Sequence, residues 1–303
     1  MKPPVEKHAH PVGLPNTLSG LTPREAKRVL VQQFNAANLP FAEDDAQELL
    51  MAATGLDPLA IMLNNVDCLL PHASEILSGY AQRRLSGEPV DHILGWREFY
   101  GRRFKINKDV LSPRADTETL IPHALSALKN IDAPHILDLG TGSGALLITL
   151  LAENNDAVGI GIDISQSALS TAQCNAHALG VESRAQWVCG DWFTPLKPEM
   201  RFDAIISNPP YINEIAMQAL APEVKDYDPH IALHGGEDGL VAYRHILRAA
   251  AHWLKPGGWI GLEIGFDQKT AVTALLGAAN FTSIDSYKDL SGNNRALCAI
   301  TKS

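Results

Sequence analysis

The chain is 303 residues long, 46% hydrophobic and 19% charged, which suits one large globular domain or two smaller ones. A formal net charge of −9 argues against general binding to nucleic-acid backbones, which calls for a basic surface, and leaves room only for a local basic patch. The four cysteines, Cys68, Cys174, Cys189 and Cys298, are scattered without CxxC or histidine-paired spacing, so reduced thiols are expected and no metal site.

Residues 1–20 are rich in Pro, Gly and His and predict a flexible leader, with His8 and His10 part of a solvated tail. No signal-type apolar core stands there and no long apolar span follows, so the expected location is the cytoplasm. Thr22-Pro23-Arg24-Glu25 joins an N-cap threonine, a proline at the first helical position and a glutamate that closes a capping box. Further helices are predicted over 42–54 with Gly55 as the stop, from Asp57-Pro58, and over 73–86 with Gly87 as the stop. Residues 21–90 thus read as a helical docking domain. Residues 91–112 read as a β-hairpin linker, with strands at 96–101 and 103–106 about a glycine turn. Within residues 113–303, strand-like runs at 135–139, 158–162, 186–188, 204–207, 259–264, 283–287 and 296–300 alternate with helical stretches. Such alternation implies an α/β domain with a mainly parallel seven-stranded sheet, covered on both faces. Ligands of such sheets bind at the C-terminal ends of the strands.

Asn208-Pro209-Pro210-Tyr211 follows the apolar run 202–207. The prolines fix their own φ angles, and Pro209 keeps Asn208 out of the helical region, so the nearby carbonyls form a rigid array. Such an array can accept both hydrogens of a planar NH₂ group while the Tyr211 ring packs on its plane. By itself the tetrapeptide reads equally as a proline turn that ends a strand.

Asp138-Leu139-Gly140-Thr141-Gly142-Ser143-Gly144 is a strand end, a glycine-rich turn and a helix start. Asp163 ends the next strand, where an acidic residue can bind ribose hydroxyls. The third glycine of the dinucleotide pattern would fall on Ala145, which that pattern tolerates, so spacing alone leaves NAD open. Asp138 would repel a pyrophosphate and suits a cationic ligand such as S-adenosylmethionine, although it could equally be a capping carboxylate. Asp191-Trp192 follows the third strand, placed to accept adenine amino hydrogens and to stack on the ring; in isolation it would read as a turn.

These motifs in this order resemble class I S-adenosylmethionine-dependent methyltransferases, a Rossmann-like fold. The segments Gly87-Glu88-Pro89-Val90-Asp91-His92-Ile93-Leu94-Gly95, Pro113-Arg114-Ala115-Asp116-Thr117-Glu118-Thr119-Leu120, Leu233-His234-Gly235-Gly236-Glu237-Asp238-Gly239-Leu240 and Leu262-Glu263-Ile264-Gly265 look like the glutamine N5-methyltransferases of peptide chain release factors, the HemK or PrmC family. The resemblance spans about residues 21–301; Ser112 and Ala115 depart from it, where an apolar residue and a proline are usual. It implies methyl transfer from S-adenosylmethionine to the glutamine of a Gly-Gly-Gln motif in class I release factors. It places the cofactor on Asp138, Gly140, Thr141, Gly142, Ser143, Gly144, Asp163, Asp191, Trp192 and Asn208. It places the substrate amide on Asn208, Pro209, Pro210 and Tyr211, with Asn208, Pro209 and Tyr211 the catalytic group. The related enzyme for ribosomal protein L3 usually lacks the Asp116-Thr117-Glu118 stretch, which favours release factors. A monomer is expected, with neither membrane nor direct nucleic-acid substrate. Arg83, Arg84, Arg97, Arg102, Arg103 and Arg114 make the middle region locally basic and could meet an acidic partner, while Asp116, Thr117 and Glu118 could cap the following helix. Methylation of a nucleic-acid amine, a nicotinamide oxidoreductase and a non-catalytic nucleotide module are the competing readings; the acidic pI argues against the first and an intact Asn-Pro-Pro-Tyr against the others.

Overall fold

The computed structural model describes residues 18–63 and 67–302. The expected leader lies outside the described residues up to residue 17, as do His8 and His10. Leu18, also assigned to that leader, is fully buried among the first helices. The chain parts into two compact units between Leu94 and Gly95.

The first unit is helical. Helix α1, Pro23–Ala36, begins on the capping box expected of Thr22 and Glu25 and buries Ala26, Leu30 and Phe34 along one stripe. Helix α2, Ala42–Thr54, stops at Gly55 with φ +72°. Helix α3, Pro58–Leu63, is capped where Asp57 Oδ1 accepts the Ala60 N–H at 2.7 Å. Helix α4, Pro71–Leu85, starts two residues before the predicted position because Pro71 takes its first turn. A short α5, Val90–Leu94, was not foreseen; five residues are too few for a hydrophobic period to show.

The second unit opens on a hairpin, β1 (Trp96–Phe99) and β2 (Arg102–Lys105). Tyr100 and Gly101 both take positive φ in its two-residue turn. Phe99 and Phe104 are fully buried and meet edge to face at 6.0 Å within the core of this unit. Helix α6 (Leu120–Leu128) leads into β3 (His135–Leu139), α7 (Ala145–Glu153), β4 (Val158–Asp163), α8 (Gln166–Ala178), β5 (Ala185–Cys189) and β6 (Phe202–Ser207). Short helices α9 (Glu214–Gln218), α10 (Pro222–Tyr227) and α11 (His230–Leu233) precede α12 (Val241–Trp253) and β7 (Leu254–Glu263). Helix α13 (Lys269–Ala278), β8 (Phe281–Lys288) and β9 (Asn294–Thr301) complete it. The sheet order is β5-β4-β3-β6-β7-β9-β8, with β9 antiparallel to both neighbours and the other pairings parallel. Side chains alternate between its faces. Leu137, Ile205 and Ile260 pack with α12 and α13. Ile136, Ala204 and Trp259 pack with α6 and α7.

Candidate active site

Strand order reverses between β3 and β6, and a crevice opens outside the strand ends at such a point. Register fixes what meets there: Leu139 lies opposite Ile162 on β4 and Ser207 on β6, and Ser207 lies opposite Leu262 on β7. The glycine loop, Asp163, Asn208 and Glu263, each at or just past a strand end, therefore stand side by side.

Gly140, Gly142 and Gly144 all take positive φ. Gly144 is also a packing requirement, because a Cβ there would sit 2.7 Å from Ile148 Cδ1. The Asp163 carboxylate holds the loop by accepting the Gly142 N–H (2.8 Å) and the Ser165 N–H (2.9 Å). Each oxygen of Asp163 keeps a lone pair, enough for two ribose hydroxyls. Burial raises its pKa, and the backbone donors oppose the rise. Asp138, expected to face the ligand, lies beneath the loop: it is 1% exposed, and Thr141 donates to its Oδ2 at 2.6 Å. Burial above all pushes its carboxyl up to about 7, and Oδ1 has no hydrogen-bond partner.

A cavity of about 380 Å³ opens over this loop. Gly140, Thr141, Gly142 and Ser143 line it, with Asp163, Asp191, Trp192, Asn208 and Pro210. Asp138, Gly144, Pro209 and Tyr211 adjoin lining residues in the chain without lining the cavity themselves. The carboxylates in the lining are Asp109, Asp163 and Asp191; the one guanidinium, Arg114, is paired with Asp228 at 2.5 Å. That balance suits a cationic nucleoside and disfavours a pyrophosphate. The unpartnered Asp138 oxygen below the loop adds to the same polarity, so the residues fit S-adenosylmethionine. Trp192 takes φ +48°, a strained position for so bulky a residue, which turns it towards the cavity rim.

Asn208 Nδ2 donates to Thr117 Oγ1 at 3.2 Å, which leaves its Oδ1 as an acceptor for a substrate. Tyr211, expected to pack on the substrate amide, is tied at its hydroxyl to Glu263 Oε1 (3.1 Å) and packed in part on the core. Burial and then the Glu263 charge push its pKa upward. Gln268 Nε2 donates to the Tyr211 carbonyl (3.0 Å) and the Gly239 carbonyl (3.1 Å). The glycine-rich stretch 233–240 wraps this turn: Gly235 N donates to Ile212 O at 2.9 Å, and Ile212 N donates to Leu233 O at 3.0 Å.

Asp116, Thr117 and Glu118 do not cap α6, whose N-cap residue Thr119 makes no side-chain cap bond. They sit in a 3₁₀ turn, Ala115–Thr119, whose side chains reach other elements. Glu118 Oε1 accepts the Tyr100 N–H at 2.8 Å, Asp116 pairs with Arg295 at 3.2 Å, and Thr117 meets Asn208. The expected basic patch is largely neutralised within each unit. Arg84, 2% exposed, pairs with Asp45, and Arg83 grips Glu88. Arg102 pairs with Glu153, and Arg103 lies over the Trp96 ring at 4.2 Å. Arg97 makes no ion pair among the described residues. Glu263 and Gln268 were not foreseen as functional. An acid ending the apolar run of β7 was the available sign for Glu263; Gln268 offered none.

Residues 116–247 match the family model of the methyltransferase small domain, and residues 25–95 that of the PrmC N-terminal domain. The chain is 44% identical to the release factor glutamine methyltransferase of Cereibacter sphaeroides, over 91% of this chain and 97% of that one. It is 42% identical to the release factor glutamine methyltransferase of Agrobacterium fabrum, over 84% of this chain and 88% of that one. Among solved structures, the hMettl16 catalytic domain in complex with MAT2A 3′UTR hairpin 6 is similar in fold, with TM-score 0.53 at 14% identity, covering 75% of this chain and 84% of that one. Among the described residues no helix is long and apolar enough to cross a membrane.

Proposed function

The chain belongs to the family of release factor glutamine methyltransferases, and from that premise we infer that it methylates the side-chain amide nitrogen, N5, of the Gly-Gly-Gln glutamine in class I release factors. S-adenosylmethionine supplies the methyl group on a sulfonium sulfur that departs as a neutral thioether. The loop at 140–144 with Asp163, Asp191 and Trp192 would hold it.

An amide nitrogen is a weak nucleophile because its lone pair is delocalised into the carbonyl. Asn208 Oδ1 and the Pro209 carbonyl accept its two hydrogens and aim the nitrogen along one axis. As the N–C bond forms, positive charge grows on nitrogen, and both acceptors stabilise it. One N–H proton then leaves to water. Tyr211 acts behind this pair by anchoring the turn. The observation that supports this reading most is the Asn208 amide: Asn208 lines the cavity, and with Nδ2 given to Thr117 its carbonyl oxygen is left to accept from a substrate.

The helical unit, matched over 25–95 by the PrmC N-terminal model, docks the release factor. The enzyme works as a monomer in the cytoplasm and takes no nucleic acid as substrate. Mass spectrometry of a release factor incubated with the protein and S-adenosylmethionine tests the reading. One added methyl on the Gly-Gly-Gln glutamine supports it. An unmodified release factor with ribosomal protein L3 methylated in parallel overturns it.

A further inference from the structure

Asn175 lies on α8 and is 2% exposed. Its Nδ2 donates to the Ser143 carbonyl of the glycine loop at 2.8 Å and to the Lys105 carbonyl of β2 at 3.0 Å. Its Oδ1 accepts the Lys105 N–H at 2.8 Å. A side-chain amide has two hydrogens on nitrogen, and here both are used. Turned end for end, it would set an NH₂ against the Lys105 N–H and an oxygen against two carbonyls, so its orientation is fixed. Towards Lys105 it presents the donor and the acceptor that a neighbouring strand would present.

One turn earlier on α8, Thr171 Oγ1 accepts from Asn107 Nδ2 at 2.9 Å. Nearer the helix start, Ala168 packs with Ile106 and Val110. Positions 168, 171 and 175 share one helix face. That face clamps the chain leaving the hairpin, which then lines the cavity from Asp109 to Arg114. Asn175 adds the cofactor loop to the clamp. The carbonyl it holds belongs to the peptide unit between Ser143 and Gly144, where Gly144 takes φ +81°. Glycine lets such a unit rotate at little cost, so the bond from Asn175 selects the rotation that the loop keeps. A loop that spends time in other rotations binds its ligand more weakly, in proportion to its competent fraction.

Given S-adenosylmethionine as the cofactor, we propose that Asn175 is a positioning residue for its binding. Through one side-chain amide it ties the Ser143 carbonyl to the Lys105 backbone, so the loop keeps its binding shape while the hairpin end is seated. Coupling of this kind is reciprocal: the bound cofactor steadies the hairpin as the hairpin steadies the loop.

The test is amide hydrogen exchange with and without S-adenosylmethionine, beside calorimetry of cofactor binding, for the wild type and Asn175→Ala. Phe99 and Asp109 line the cavity, and the residues between them do not. In the wild type the cofactor should slow amides 100–106 more than those of β8 and β9, which report protection of the unit as a whole. Equal slowing overturns the proposal. N175A should lose the extra slowing and bind the cofactor about tenfold more weakly, the scale of one buried hydrogen bond left unmade. Its kcat at saturating cofactor should stay near that of the wild type, because Asn175 bonds to the loop and the hairpin and not to the Asn208 turn. A merely structural Asn175 would lower the Tm of N175A and leave cofactor affinity and the extra slowing intact, which overturns the proposal. If N175A does not fold, Asn107→Ala decides. It frees the cavity-lining chain from Thr171 but keeps Asn175, so the extra slowing should persist; its loss would route the coupling through that chain and overturn the proposal. A wild type that binds no S-adenosylmethionine overturns the cofactor assignment instead.

Discussion

Asn208 is the residue on which the chemistry turns, and its geometry sets what its loss should cost. Its oxygen is one of two acceptors for the substrate amide, and it touches the cofactor loop only as a neighbour in the cavity wall. Asn208→Ala should lower kcat about 100-fold, the scale seen when one preorganised polar group is removed from a reacting centre. S-adenosylmethionine affinity, measured by calorimetry, should change far less than kcat, because the loop at 140–143 and Asp163 carry most of the cofactor wall. A near-normal kcat would remove Asn208 from the mechanism. The side chains behind it divide the labour. Thr117 fixes the amide, Glu263 anchors Tyr211, and Gln268 ties the Tyr211 carbonyl to that of Gly239. None of these contacts could be read from sequence, because each spans tens of residues that only the fold brings together.

At the scale of elements, what was legible follows from what is local. The caps at Thr22 and Asp57 and the stop at Gly55 involve residues within four positions of each other, and each formed as expected. The strand ends bearing Gly140, Asp163 and Asn208 were legible for the same reason: each is an apolar run followed by a turn. The stretch Asp116–Glu118, which could have capped the following helix, instead has distant partners in Tyr100, Arg295 and Asn208, which no local rule can find. The glycine-rich stretch 233–240 shows a similar limit. Its glycines resembled a family motif, yet their physical reason is the turn they enclose. Gly239 has φ +75°, and a Cβ there would stand 2.4 Å from the Tyr211 carbonyl oxygen. Gly239→Ala should destabilise the second unit by about 1–3 kcal/mol, the range for strained backbone. It should also lower kcat by displacing the Asn208–Tyr211 turn, while the cofactor loop binds as before. Denaturant unfolding followed beside kcat reads both; an unchanged midpoint would show that the loop yields without holding the turn.

Across the whole molecule, the buried acids of the site make stability depend on pH. Asp138 and Glu263 are each 1% exposed, and burial is the largest influence on both. Their folded pKa values, about 7, lie above the ordinary 3.8 and 4.5, so the native state binds protons more tightly than the unfolded chain. Their stabilisation is therefore complete below the ordinary carboxylate range and is lost as pH rises through 7. Between pH 6 and pH 8 each should cost the fold about 1 kcal/mol. Both lie in the second unit, and so do all five tryptophans, at positions 96, 187, 192, 253 and 259. Tryptophan fluorescence in a urea titration thus follows that unit alone, which avoids treating two units as one transition. The midpoint should fall from pH 6 to pH 8, and Asp138→Asn and Glu263→Gln should each remove part of the fall. A wild-type midpoint level across that range would mean that both carboxylates are already ionised at pH 6 in the folded protein. If the fall appears, the site holds charges the fold alone would neutralise, and a cationic cofactor bound over the loop above Asp138 should stabilise the protein more at pH 8 than at pH 6.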